Sequence, residues 1–147
     1  MDKDALLNTL LYEDIEDEEV EELISGIDDP EVLHILAINY NWDDGYEIPG
    51  MILDNACCEL STALMLFYLA EGAEFLHDRK AFRKDKELQT FIAGLYSRIM
   101  KGNFKKGDIL FRPPLGRVDL YYLKKALKED EAVFIESFGT KEVKDTY

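Results

Sequence analysis

Apolar residues recur along this chain at helical spacing, and the periods break at Asp, Asn, Gly and Pro. Leu6, Leu7, Leu10 and Leu11 make one side of a first helix, which Asp2 or Asp4 can start. Val20, Leu23, Ile24 and Ile27 stand at i, i+3, i+4 and i+7, an amphipathic helix whose acids crowd its first turns and complement the helix dipole. Gly26 frays its end. Asp28-Asp29-Pro30 starts the next helix, about residues 30–40, with Asp as N-cap and Pro at the first helical position. Leu33, Leu36, Ala37 and Tyr40 share one of its faces, and Val32, Ile35 and Ile38 make it apolar nearly all round, so it lies inside. Pro49 can only begin or break a helix, which gives a short one at about 48–54. A third central helix spans about 59–71, with Leu60, Ala63, Leu64, Phe67 and Tyr68 on one face and Gly72 as its stop.

Residues 73–86 change character: Glu74-Phe75-Leu76 adds a helical turn, and the basic residues around Arg79 and Arg83 form an exposed connection. Asp85 caps the clearest helix, about 86–101, where Leu88, Phe91, Ile92, Leu95, Tyr96 and Ile99 keep the period and Gly102 ends it. Ile109-Leu110-Phe111 is extended ahead of Pro113-Pro114. A last helix at about 117–128 uses Leu120, Tyr121, Leu123 and Leu127. Ala132–Ile135 is a strand or turn that packs back, and the tail from Gly139 frays. The pattern predicts an all-α fold of five to seven helices, stacked as antiparallel pairs in a loosely HEAT-like way. The length fits one domain over residues 1–147.

Between the two most apolar helices lies Asn39-Tyr40-Asn41-Trp42-Asp43-Asp44-Gly45, which holds the only tryptophan. Asn, Asp and Gly favour turns over helix interiors, so this stretch ends one helix and orients the next. As a structural corner it would bury Trp42, use Asp43 or Asp44 to cap a helix N-terminus, and place Gly45 at positive φ. As a recognition surface it would present Trp42, Asp43 and Asp44 outward.

Charge changes the picture most. The net charge is −14. Residues 1–59 hold eighteen acids and one base, Lys3, whereas residues 60–147 hold thirteen acids and sixteen bases. An acidic half repels phosphates, which argues against nucleic acid and for a basic partner or simple solubility. The longest apolar run is too short for a membrane span, and the N-terminus has no basic signal region, so a cytoplasmic protein with no membrane partner is expected. Cys57 and Cys58 are adjacent, lack a CxxC spacing, and are expected reduced, with at least one in the core.

Leu33-His34, the run Asn39–Gly45, Ile48-Pro49, Ile52, Cys58 and Thr62-Ala63-Leu64 with Phe67 together resemble the bacterial domain of unknown function 4274 over roughly residues 30–72. Asn41, Trp42, Asp43, Asp44, Gly45, Pro49 and Cys58 carry that motif. The resemblance implies a mostly helical bacterial domain and supplies no activity.

Two functional classes follow. The favoured one is a non-catalytic protein-binding protein that needs no cofactor: an immunity protein, by analogy with small acidic proteins of bacterial toxin systems, that blocks a basic toxin domain. Its contact residues are Glu13, Asp14, Glu16, Asp17, Glu18, Glu19, Glu21 and Glu22, with Asp43 and Asp44 behind them. The alternative is a small metal-dependent or cysteine enzyme built on His34, Asp43, Asp44 and Cys58. These residues have no HExxH, EF-hand or other fixed ligand spacing, and an acidic setting opposes a reactive thiolate. A lone His in an apolar helix is more often a hydrogen-bonded core residue than a ligand.

Overall fold

Local sequence signals set the helix starts in the computed structural model, which describes residues 1–144. Asp2 accepts a hydrogen bond from the Ala5 N–H and opens α1, Lys3–Tyr12. Helix α2, Asp17–Ser25, has Asp17, Glu18 and Glu19 in its first turn and no side-chain cap. Asp29 caps α3, Pro30–Asn39, through the Glu31 N–H, with Pro30 in the first turn. A 3-10 turn, Trp42–Asp44, leads to α4, Glu47–Asp54, and α5, Leu60–Leu69, follows. Then come α6, Gly72–His77, and α7, Lys86–Met100, the latter capped by Asp85 through the Leu88 N–H. Helix α8, Arg117–Ala126, precedes a 3-10 segment, Glu129–Phe134. The fold is all-α. Eight α-helices are described against the five to seven expected, because α6 is a helix of its own.

The helices pack in two rows. In one, α3 touches α1 and α5, and α5 touches α7; in the other, α2 packs on α4 and α6 on α8. Contacts of α3 with α4 and of α5 with α6 join the rows. Helices α3 and α5 therefore have neighbours on several sides, which is why their sequences are apolar all round. One hydrophobic core runs from Leu7 through Leu33, Leu64, Phe67 and Ile92 to Phe134.

Several local expectations change. Gly72 does not end α5. Glu71 takes the left-handed conformation at φ 67°, and Gly72 opens α6, where a Cβ would lie 2.2 Å from the Phe67 ring. Tyr121 does not face the core. It is 54 % exposed, beside Val118 and Tyr122, while Leu123 is buried. The tail does not fray directly after Gly139: the Thr140 and Lys141 N–H groups donate to the Asp108 carbonyl, and the Leu110 N–H donates to the Lys141 carbonyl. Residues 145–147 of that tail lie outside the described residues. The connection after α6 is not wholly exposed either, because Arg79 reaches inward to the buried Glu131 carboxylate at 2.6 Å.

Candidate functional site

The corner after α3 is held by its own short side chains. Asn41 accepts a hydrogen bond from the Asp43 N–H at 3.1 Å, an Asx turn that makes Asn41 the cap of the 3-10 turn. Gly45 has φ 96°, a conformation that favours glycine, and its carbonyl accepts the Tyr40 hydroxyl at 2.7 Å. Burial, then the negative charges of Asp44 and Glu47, push the Tyr40 hydroxyl up to about 12.

Asp43 and Asp44 cap no helix by side chain. Tyr46 occupies the cap position of α4 without a side-chain bond, and both aspartates are exposed. Trp42 is half-buried rather than mostly buried. Its ring meets Tyr40, Tyr46 and Phe91 edge-on, with centroids 5.6, 6.0 and 5.8 Å away. The indole N–H is buried and has no hydrogen-bond partner among the described residues.

Two depressions flank this corner and share Asp44 and Glu47. The first, about 290 Å³, is a groove where the end of α1 and the start of α2 approach α4. Leu10, Leu11, Ile15, Val20, Ile48 and Met51 line it apolarly, and Glu13, Asp14, Asp17, Asp44 and Glu47 supply five carboxylates. Glu13 is partly fixed there by the Thr9 hydroxyl, which donates to Oε2 at 2.6 Å. The second depression, about 690 Å³, opens between the corner and α7, with Tyr46 and Phe91 as aromatic wall and Asp44, Glu47 and Glu87 as acids, against one cation, Lys86.

The structure thus brings Glu13, Asp14 and Asp17 together with Asp44. Glu21 lies apart, beside Asp54 in a smaller hollow. Glu16, Glu18, Glu19, Glu22 and Asp43 are exposed and line neither depression. No spacing flags Glu47, Glu87 or Phe91. Phe91 reads in the sequence as one more position on the apolar face of α7, and only the packing of α7 beside the corner makes it a wall.

Residues 28–100 match the family described as a domain of unknown function (DUF4274). Residues 28–100 are a DUF4274 domain. No curated protein and no solved structure matches the chain. The aromatic depression lies wholly within the DUF4274 domain, whereas the groove is shared between that domain and the α1–α2 segment before it.

Within the DUF4274 domain, two of the residues considered for catalysis, His34 and Cys58, lie in the core. His34 is buried in α3, and its Nδ1 lies 2.9 Å from the Thr62 hydroxyl of α5, a bond between two core helices. Cys58 is buried, and burial, only partly offset by Arg98, pushes its thiol up to about 12. Cys57 is a half-buried free thiol. Pro49 is buried in the first turn of α4. Among the described residues, no three His, Cys, Asp or Glu side chains are placed to hold a metal ion, and no helix is long and apolar enough to cross a membrane.

Proposed function

We propose that this chain is a non-catalytic protein-binding protein whose acidic groove docks a basic partner protein, and that it serves as an immunity protein covering the basic surface of a toxin domain. One observation carries the reading: residues far apart in sequence bring five carboxylates around one groove between α1, α2 and α4. A solvated acidic face needs no such convergence. The groove offers a concave contact surface, and the carboxylates offer charge complementarity and fast association. A toxin domain that works on nucleic acid is basic for its own reasons, so an acidic surface can cover the same patch.

The test is a triple reversal, Glu13→Lys, Asp14→Lys and Asp17→Lys, measured by stopped-flow against the protein encoded by the adjacent gene. The association rate is expected to fall by about tenfold or more at low salt, with loss of protection when the two genes are co-expressed. An unchanged rate, with unchanged salt dependence, removes the groove as the interface.

A further inference from the structure

We propose that the depression beside the corner is a binding site for a guanidinium group, and that its occupant is an arginine side chain of the partner protein. The proposal rests on the protein-binding reading above and adds a second site to it. The depression, about 690 Å³, is wide open to solvent, which suits a side chain presented by another protein better than an enclosed small ligand. Its aromatic wall is a pair of rings, Tyr46 and Phe91, with centroids 5.2 Å apart and planes tilted by 30°. Trp42 buttresses both from behind, edge to face. Asp44, Glu47 and Glu87 face the opening with only Lys86 to offset them.

An aromatic wall beside several carboxylates is the chemistry a planar, weakly hydrated cation uses. The guanidinium stacks on the rings and donates forked hydrogen bonds to carboxylate oxygens, whereas a lysine ammonium is a point charge with a stronger hydration shell. An anion would meet net negative charge, and an uncharged apolar ligand would leave the carboxylates desolvated without partners. Burial, then the charges of Asp85 and Glu87, push the Tyr46 hydroxyl above the usual range. The corner motif gains a use by this route, since Gly45 and Tyr40 hold Asp44 at the rim and Trp42 backs the wall.

Because Trp42 is the only tryptophan and touches both wall residues, its emission reports the site without a label. The full chain is titrated with N-acetyl-arginine methylamide, and in parallel with N-acetyl-lysine methylamide and methylguanidine. Saturable binding of the blocked arginine on the order of 1 mM is expected, weakening with salt, with the blocked lysine several-fold weaker. Glu47→Gln with Glu87→Gln, both at exposed positions that leave the packing intact, should weaken it by about tenfold, and Phe91→Leu likewise. A linear, non-saturating response, or equal binding in both variants, overturns the site. Binding of methylguanidine alone overturns the protein-borne occupant in favour of a small molecule. The two proposals separate cleanly. If Phe91→Leu leaves the complex with the adjacent-gene protein unchanged, the arginine site is overturned while the groove stands. If the reversal at Glu13, Asp14 and Asp17 is silent but the blocked arginine binds saturably, the groove is overturned and the site is supported.

Discussion

Trp42 is a large side chain that is only half-buried yet hides an indole N–H without a partner among the described residues. A buried, unmade hydrogen bond costs about 1–3 kcal/mol, so the ring is kept for its faces and not for its polar atom. Trp42→Phe, which removes the orphan donor and keeps most of the aromatic contact, should shift stability by less than about 1 kcal/mol. Trp42→Ala should cost about 3 kcal/mol, the lower end for losing a large aromatic, because part of the ring already meets water. Urea unfolding midpoints of the two variants check this, and equal losses would contradict it. Cys58 makes a second residue-level case. A thiol whose titration lies near 12 is not a nucleophile at neutral pH. Iodoacetamide at pH 8 should therefore label one cysteine per folded chain, Cys57, and reach Cys58 only on unfolding. Mass spectrometry of peptides distinguishes the two adjacent residues by fragment ions.

At the scale of elements, the C-terminal 3-10 segment is tied to the helical rows by a buried carboxylate. Glu131 is fully buried. Its Oε2 accepts from Arg79 at 2.6 Å and from the Tyr96 hydroxyl, and its Oε1 accepts the Lys128 N–H at 2.9 Å. Arg79 also lies over the Phe75 and Tyr96 rings. Burial alone would raise the carboxyl, but the bonds from Tyr96, the Lys128 N–H and Arg79 prevail and hold it below the usual range. A depressed carboxyl contributes stability above its unfolded-state value and loses it as pH falls through the folded value. Arg79→Met should thus cost about 3 kcal/mol at pH 7, since it strips a buried charge of its cation while Tyr96 and the amide remain. The difference from wild type should shrink as pH drops below the ordinary carboxylate range, read by thermal melts from pH 7 to pH 3. None of this was legible in the sequence, where Glu131 is one acid in a run and Arg79 one base in a charged connection. What was legible is local. Asp2, Asp29-Pro30 and Asp85 act through neighbouring amides, and the apolar periods of α3, α5 and α7 need only a helix. The failures are tertiary. Gly72 is glycine because Phe67 crosses it, and Tyr121 stands between the inward positions Leu120 and Leu123 of α8 but points to solvent.

Over the whole molecule, the acidic half was legible as a number and not as a shape. Counting carboxylates through residue 59 could not say that Glu13, Asp14 and Asp17 share a groove with Asp44 while Glu18, Glu19 and Glu22 point to water. That depends on α2 packing against α4, which Asn55 helps to fix by donating to the Ile24 and Ile27 carbonyls at 2.8 and 3.0 Å. The split between groove acids and outer acids makes a test of what the excess charge is for. Like charges at this density destabilise the compact state through self-repulsion, and salt relieves it as the screening length shortens from about 30 Å at 0.01 M to about 8 Å at 0.15 M. The melting temperature of the wild type should therefore rise over that range. Neutralising Glu18, Glu19 and Glu22 to Gln should raise it at low salt and have a smaller effect at high salt, because the repulsion relieved outweighs the helix-dipole attraction that Glu18 and Glu19 give up in the first turn of α2. Against a basic partner, the same triple variant should slow association and leave dissociation unchanged, since rim charges steer without being buried. Neutralising Glu13, Asp14 and Asp17 should slow association and also speed dissociation, because those carboxylates would be covered in the complex. Identical kinetic effects of the two triples would show that only the summed charge matters and that the groove has no special part in binding.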